Sequence, residues 1–347
     1  MTWRAWADGE RGAIHAAGQW RAPRDLDGRG PEGELAGHGP VVSFASNDYL
    51  GLTQHPAVVA AAHAALDRWG AGSGSARLIV GSRPAHTDLE HALAEWRDAD
   101  RAALFPTGFA ANLGVLTTVG GPGTLVCSDE LNHASIIDGC RLSHADIAIY
   151  RHSDLEHLAS LLGARGDRRA VVVSDTVFSM DGDTADVDAL AALARRHEAL
   201  LVLDEAHAVL GPSPAFARDG DVLRVGTLSK TLGALGGFVA GPARYVELLE
   251  NRARPYIFTT APTPADTAAA SAALDIVRSA EGDRLRARLR ELVHRLRPGH
   301  SSPILPFVCG TEDRALAAAA ALLEHGLYVP AIRPPTVAPG TARLRVT

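Results

Sequence analysis

The sequence predicts an α/β fold built on a mostly parallel sheet, and three observations carry that prediction. Seven short apolar runs recur from residue 102 onward. They are apolar at nearly every position instead of alternating, as strands are when both faces of their sheet are covered. Stretches with helical spacing separate them, which is the order of a layered α/β architecture.

Taken in chain order, Met1–Arg21 mixes charged and apolar residues without an uninterrupted apolar core, so no signal peptide is expected there. Residues 21–40 are rich in Gly, Pro and charge and read as an irregular arm. Pro56–Trp69 and His86–Asp98 have helical patterns on either side of the glycine-rich Gly70–Gly81. The predicted strands are Ala102–Phe105, Leu125–Cys127, Ile147–Tyr150, Ala170–Ser174, Leu200–Asp204, Leu223–Thr227 and Phe238–Ala240. Between them Asn112–Val119, Asp154–Ala164 and Asp186–His197 read as helices. Asp186 and Asp188 stand where a helix start favours acid. Ala265–Ala280 and Asp283–Leu296 are further helical stretches leading into a shorter α+β portion. The expected organisation is an N-terminal arm over 1–44, a large domain over 45–274 and a small C-terminal domain over 275–347. No repeat or low-complexity tract interrupts it.

Composition narrows the function. The 347 residues are 46% hydrophobic, enough for a substantial core, and mean hydropathy is +0.02. A net charge of −6 and a pI near 6.2 carry no bias toward nucleic acid or an anionic membrane, so neither partner is expected. No apolar run reaches membrane-spanning length. Cys127, Cys140 and Cys309 are scattered and form no CxxC pair, which suits a reducing cytoplasm and suggests no metal site.

Among 34 basic residues only one, Lys230, is lysine. The bland reading is a coding bias toward arginine that left one lysine by chance. Arginine, however, cannot replace lysine where a neutral amine must act as nucleophile, because guanidinium stays charged. Lys230 follows a predicted buried strand in Thr227-Leu228-Ser229-Lys230-Thr231-Leu232-Gly233, with hydroxyls on both sides. Such a place lowers an amine's pKa and offers hydroxyls to a cofactor phosphate. A surface lysine in a loop is the ordinary alternative.

Asp204 ends an apolar strand in Leu201-Val202-Leu203-Asp204-Glu205-Ala206-His207, at the strand edge where open α/β sheets bind ligands. A carboxylate there can hold a proton on the ring nitrogen of pyridoxal 5′-phosphate (PLP), and His207 can reach the ring's phenolic oxygen. The same four letters occur in DEAH-type ATPases. Those need a GxxxxGK[ST] loop, which is missing here. Thr107-Gly108-Phe109 opens a helix whose free N–H groups suit phosphate or ring substituents, although many α/β turns look alike. His133, at a helix start in Asn132-His133-Ala134-Ser135, can lie over a ring or simply cap the helix. Ser179 follows another strand edge, where a polar turn is also the ordinary expectation. Three further stretches are unusual: SNDYLGL at 46–52, GSGSARLIVG at 72–81 with Arg77, and IRPPTVAPGTARLRV at 332–346. The last presents Arg333, Arg343 and Arg345 among prolines, which suits carboxylate recognition or a solvated surface loop.

Together these stretches, from about residue 41 to the end, resemble the α-oxoamine synthase family of fold-type I PLP-dependent transferases. The resemblance implies a decarboxylating condensation of an amino acid with an acyl thioester. The IRPPTV…GTARLR ending points to L-alanine and a pimeloyl thioester; a sister enzyme using glycine or serine with another acyl-CoA, and a non-catalytic PLP-fold protein, are the other readings. It implies that Lys230 holds the cofactor aldehyde and acts as proton-transfer base, that Asp204 pairs with the pyridine nitrogen, and that His133 stacks on the ring. His207 and Ser179 would contact the cofactor's oxygen side, Thr227 would bind phosphate, and Gly108 and Phe109 would line the pocket. Arg21, Asn47, His133, Arg333 and Thr336 would meet substrate, Arg345 the amino-acid carboxylate. A homodimer with shared active sites is implied as well. Two departures stand out. AVLGPSPAFARDGD after His207 is shorter than the family's glycine-rich stretch, and Thr347 follows directly on the Arg345 strand where relatives continue into a helix.

Overall fold

The computed structural model describes residues 1–212, 215–216 and 220–347. Residues 213, 214 and 217–219 belong to the short stretch after His207, so that departure lies partly outside the described residues. The chain divides into two compact units, Asn47–Pro303 and the pairing of Met1–Ser46 with Ile304–Thr347. The sequence reading sets its limits at 44 and 274, so residues 275–303 fall on different sides in the two descriptions.

The larger unit is built on seven strands: β1 (Arg101–Phe105), β2 (Thr124–Asp129), β3 (Asp146–Tyr150), β4 (Arg169–Asp175), β5 (Leu200–Asp204), β6 (Val222–Thr227) and β7 (Gly237–Gly241). They lie in the order β1-β7-β6-β5-β4-β2-β3. The five strands from β6 to β3 run parallel. Only β7 is antiparallel, to β1 and β6. All seven were expected, each within a few residues of its observed ends.

Both faces of the sheet are covered, which is why the strands read as continuous apolar runs. Ala102, Leu104, Phe238 and Ala240 point to one face, against α1 (Pro56–Trp69), α2 (Pro84–Trp96) and α8 (Pro264–Val277). Their neighbours Ala103, Phe105 and Val239 point to the other, with α3 (Gly108–Val119), α4 (Ala134–Leu142) and α7 (Ala243–Arg252). A third cluster joins Leu125, Cys127, Val172, Leu201 and Leu203 to α5 (Leu155–Gly163) and α6 (Val187–Arg196). The helix starts are fixed locally. Asp186 accepts a hydrogen bond from Ala189 N at 3.0 Å, and Asp154 one from His157 N at 2.8 Å. The helix α9 (Ala280–Leu296) follows α8 and completes the unit.

The smaller unit corrects one expectation. Residues 21–40 are not irregular: Leu26–Arg29 and Glu32–Leu35 form an antiparallel hairpin that continues into Gly39–Ser43. The segment's glycines and charges give no periodicity, yet Gly28 and Gly33 face each other across the ladder. A Cβ on Gly28 would meet Gly33 Cα at 2.8 Å, so two glycines allow this close crossing. The rest of the unit is α+β. Leu305–Gly310 and Ala331–Ile332 flank Ala342–Val346 in an antiparallel sheet, with the helix Glu312–Glu324. Among the described residues no helix is long and apolar enough to cross a membrane.

Candidate active site

The parallel strands end together at one edge of the sheet, and there the chain collects polar side chains: Asp129 on β2, Asp175 on β4, Asp204 on β5 and Thr227 on β6. Lys230 lies three residues beyond β6, in the short connection that turns back into β7. Its Nζ stands 2.9 Å from His207 Nε2. His207 Nδ1 in turn stands 2.6 Å from the Tyr49 hydroxyl, which donates to Asn47 Oδ1 at 3.1 Å.

Asp204 is buried, and its carboxylate is held at both oxygens. Asn112 Nδ2 donates to Oδ2 at 2.6 Å, and Ala206 N donates to Oδ1 at 2.8 Å. Its orientation is therefore set before any ligand arrives. Asn112 also donates to Ser135 Oγ at 2.9 Å, and that hydroxyl lies 2.7 Å from His133 Nδ1. His133 is the N-cap of α4, its Nδ1 facing Ser135 N at 3.3 Å. The capping role and a place beside Asp204 are thus compatible. Burial, together with the charge of Lys230, lowers the His133 pKa; Asp204 opposes the shift. The ring is thereby kept neutral near pH 7. Phe109 lies edge-on to it, with ring centroids 6.4 Å apart.

Beside Asp204, in register on β4, stands Asp175. Burial and then the Asp204 charge raise its pKa well above the ordinary carboxylate range, while His133 N donates to it at 2.8 Å. The N-terminus of α3 points into the same edge. Thr107 caps it by accepting from Ala110 N at 3.0 Å. A Cβ on Gly108 would lie 3.2 Å from Thr227 Cβ, and one on Gly237 would lie 2.4 Å from Thr107 O. Glycine at both positions lets this helix end abut β6 and β7. Thr227 donates to Gly236 O at 3.0 Å and lies 2.8 Å from Ser229 Oγ, so two hydroxyls lie together at the end of β6.

These contacts bring together Lys230, Asp204, His207, His133, Phe109, Gly108, Thr227 and Asn47. Ser179 lies on the half-buried turn after β4, closed by Gly182 N donating to Phe178 O at 2.8 Å. The other four expected residues belong to the smaller unit. There Arg21 donates to Pro334 O at 3.3 Å, Arg333 donates to Gly18 O, and Thr336 N donates to Arg333 O at 3.1 Å. Arg21, Arg333 and Thr336 are therefore tied to one turn. Arg345 lies on the strand Ala342–Val346.

Sequence reasoning missed Tyr49, Asn112, Ser135 and Asp175. Tyr49 sits in the SNDYLGL stretch singled out as unusual, so a signal was there without an assigned role. Asn112 lies one helical turn beyond Gly108, and its polarity inside an apolar helix was the available sign.

The edge fits PLP on its own evidence. A carboxylate fixed at both oxygens suits a pyridinium, the half-buried amine suits an aldehyde, and a capped helix start beside two hydroxyls suits a phosphate.

Residues 39–347 match the model of the aminotransferase class I and II family, and the chain belongs to that family. An 8-amino-7-oxononanoate synthase of Anaeromyxobacter dehalogenans is 48% identical over 360 residues, covering 98% of this chain and 90% of its own. One from Burkholderia cenocepacia is 48% identical over 330 residues, 88% of this chain and 81% of its own. Among solved structures, a serine palmitoyltransferase of Sphingomonas wittichii superposes with a TM-score of 0.89 at 32% identity, covering 98% of this chain and 91% of that one. An 8-amino-7-oxononanoate synthase of Francisella tularensis gives 0.71 at 26%, covering 88% and 91%.

Proposed function

We propose that the chain is an 8-amino-7-oxononanoate synthase of biotin biosynthesis, a PLP-dependent acyltransferase. It joins L-alanine to pimeloyl-CoA, or to the equivalent carrier-protein thioester, giving 8-amino-7-oxononanoate, CO2 and the free thiol. The observation that carries this is identity of 45–48% to 8-amino-7-oxononanoate synthases over most of the chain, joined to a polar edge of matching chemistry.

PLP, when bound, supplies an electron sink for the charge that develops at the amino acid's Cα. The residues do the rest. Lys230 would hold the cofactor and, as a neutral amine, would take the Cα proton. Asp204 would keep the ring nitrogen protonated, its oxygens held in place by Asn112 and Ala206 N. His133 would cover the ring, His207 and Ser179 would serve its oxygen side, Thr227 would bind the phosphate, and Gly108 and Phe109 would line the pocket. Arg21, Asn47, Arg333, Thr336 and Arg345 meet the substrates; the ties among Arg21, Arg333 and Thr336 support a shared role. The enzyme works as a cytoplasmic homodimer.

The superposition on a serine palmitoyltransferase favours a second reading, a sister synthase that takes serine. Backbone likeness is shared across such folds, whereas 48% identity over nearly the whole chain is not, so alanine is the substrate read here. The test compares alanine, glycine and serine with several acyl-CoAs, thiol release being measured. Turnover with alanine and pimeloyl-CoA above every other pair is expected; preference for serine or glycine overturns the assignment. In Lys230→Ala the cofactor's visible band and the activity should both disappear.

A further inference from the structure

We infer that Tyr49 is a positioning residue that fixes His207 as the Nδ1–H tautomer, so that Nε2 faces Lys230 as a hydrogen-bond acceptor.

A phenol has one proton to give. Tyr49 gives it to Asn47 Oδ1, 3.1 Å away. The same oxygen lies 2.6 Å from His207 Nδ1, so at that contact the oxygen accepts and Nδ1 must carry the hydrogen. A neutral imidazole has one N–H, and the hydrogen bond at one nitrogen decides the state of the other. Nε2 is therefore left with its lone pair, 2.9 Å from Lys230 Nζ, which donates to it. Free histidine favours the opposite tautomer, so the arrangement has to be imposed by its surroundings. Tyr49 can impose it because its side chain is buried and set edge-on to the imidazole at 6.1 Å between centroids. The neighbouring turn is rigid as well: Asp48 accepts from Leu52 N at 2.8 Å and lies 2.6 Å from Thr53 Oγ1.

The consequence is chemical. An acceptor at Nε2 orients the amine of Lys230 and takes part of its proton density without competing as a donor. A donor at Nε2 would instead occupy the amine's lone pair, which the proton transfer assigned to Lys230 requires. This step rests on the function proposed above; the tautomer itself does not.

The test begins with the apoprotein labelled with 15N-histidine. NMR should give His207 the shift pair of an Nδ1–H imidazole, assigned by its loss in His207→Gln. Tyr49→Phe should abolish that pattern, whereas Asn47→Asp, which keeps an acceptor and removes any donor, should retain it. In the PLP-loaded enzyme Tyr49→Phe should shift the pH at which the visible band changes by about one unit. It should lower kcat by on the order of tenfold or more, with little change in KM for the amino acid. An Nε2–H pattern in the unsubstituted protein overturns the inference whether or not any variant folds, since the Asn47 amide nitrogen would then face Tyr49 and the phenol would donate to His207. Failure of Lys230→Ala to remove the visible band would overturn the lysine's role while leaving the tautomer result standing.

Discussion

Glu205, the residue between Asp204 and Ala206, points away from the chemistry into a buried ion cluster. Its Oε1 meets Arg224 Nη2 at 2.7 Å, and its Oε2 meets Arg97 Nε at 3.3 Å. The Glu205 side chain is 1% exposed and the two arginines about a tenth. Burial pushes the Arg97 guanidinium down to about 10, against the pull of Glu205. Two buried cations thus share one carboxylate. Glu205→Gln removes it and should cost about 3–5 kcal/mol of stability, read from the urea unfolding midpoint. A loss below about 1 kcal/mol would mean the cluster is solvated. At this scale the sequence was legible where chemistry demanded one residue type: a single lysine, and an aspartate closing a strand. It was illegible where a role depends on distant partners. Nothing in the letters DEAH says that the glutamate faces two arginines more than a hundred residues apart, or that Tyr49 meets His207 from 158 positions away.

Strands and helices were read well because their pattern is local. An apolar run with helices on both sides has few other solutions, and all seven strands appeared. The arm at 21–40 failed for the complementary reason: a hairpin of glycines and charges buries little, so no periodicity marks it, and only its pairing defines it. One loop contact also carries a prediction. His152, just after β3, bridges Asp129 at 2.9 Å and Asp183 at 2.7 Å, joining the ends of β2 and β3 to the turn after β4 that bears Ser179. Those two carboxylates raise its pKa to about 10. A histidine whose folded pKa is raised stabilises the fold fully below the unfolded value of about 6.5 and loses that contribution as pH rises through about 10. The stability gap between the unsubstituted protein and His152→Asn should therefore be widest near pH 6 and shrink toward pH 10. A gap that grows with pH would refute the charged bridge. At the start of α3, Thr107→Ala removes the cap and should cost about 1 kcal/mol, with weaker PLP binding seen by equilibrium titration.

For the molecule as a whole, exposed apolar side chains bear on assembly. Leu78, Ile79 and Val80 are 53%, 73% and 69% exposed, an unusual run for a surface. The homodimer proposed above would give them cover. Sedimentation should give a mass near twice 36.4 kDa, and Ile79→Glu should shift it toward the single chain. Retention of the dimer by that variant would put the contact elsewhere.

The solitary lysine also turns a quirk of composition into an analytical handle. Reagents that modify primary amines can react with this chain only at Lys230 and at the N-terminus. Any acylation or reductive-alkylation adduct found within the chain is thus a count of lysine side chains left uncovered. Intact-mass spectrometry after brief amine labelling should report the loaded fraction of a preparation directly, with no substrate added. The same scarcity leaves trypsin one lysyl bond to cut, at the end of the Ser229–Lys230 pair, so a single peptide boundary marks the site.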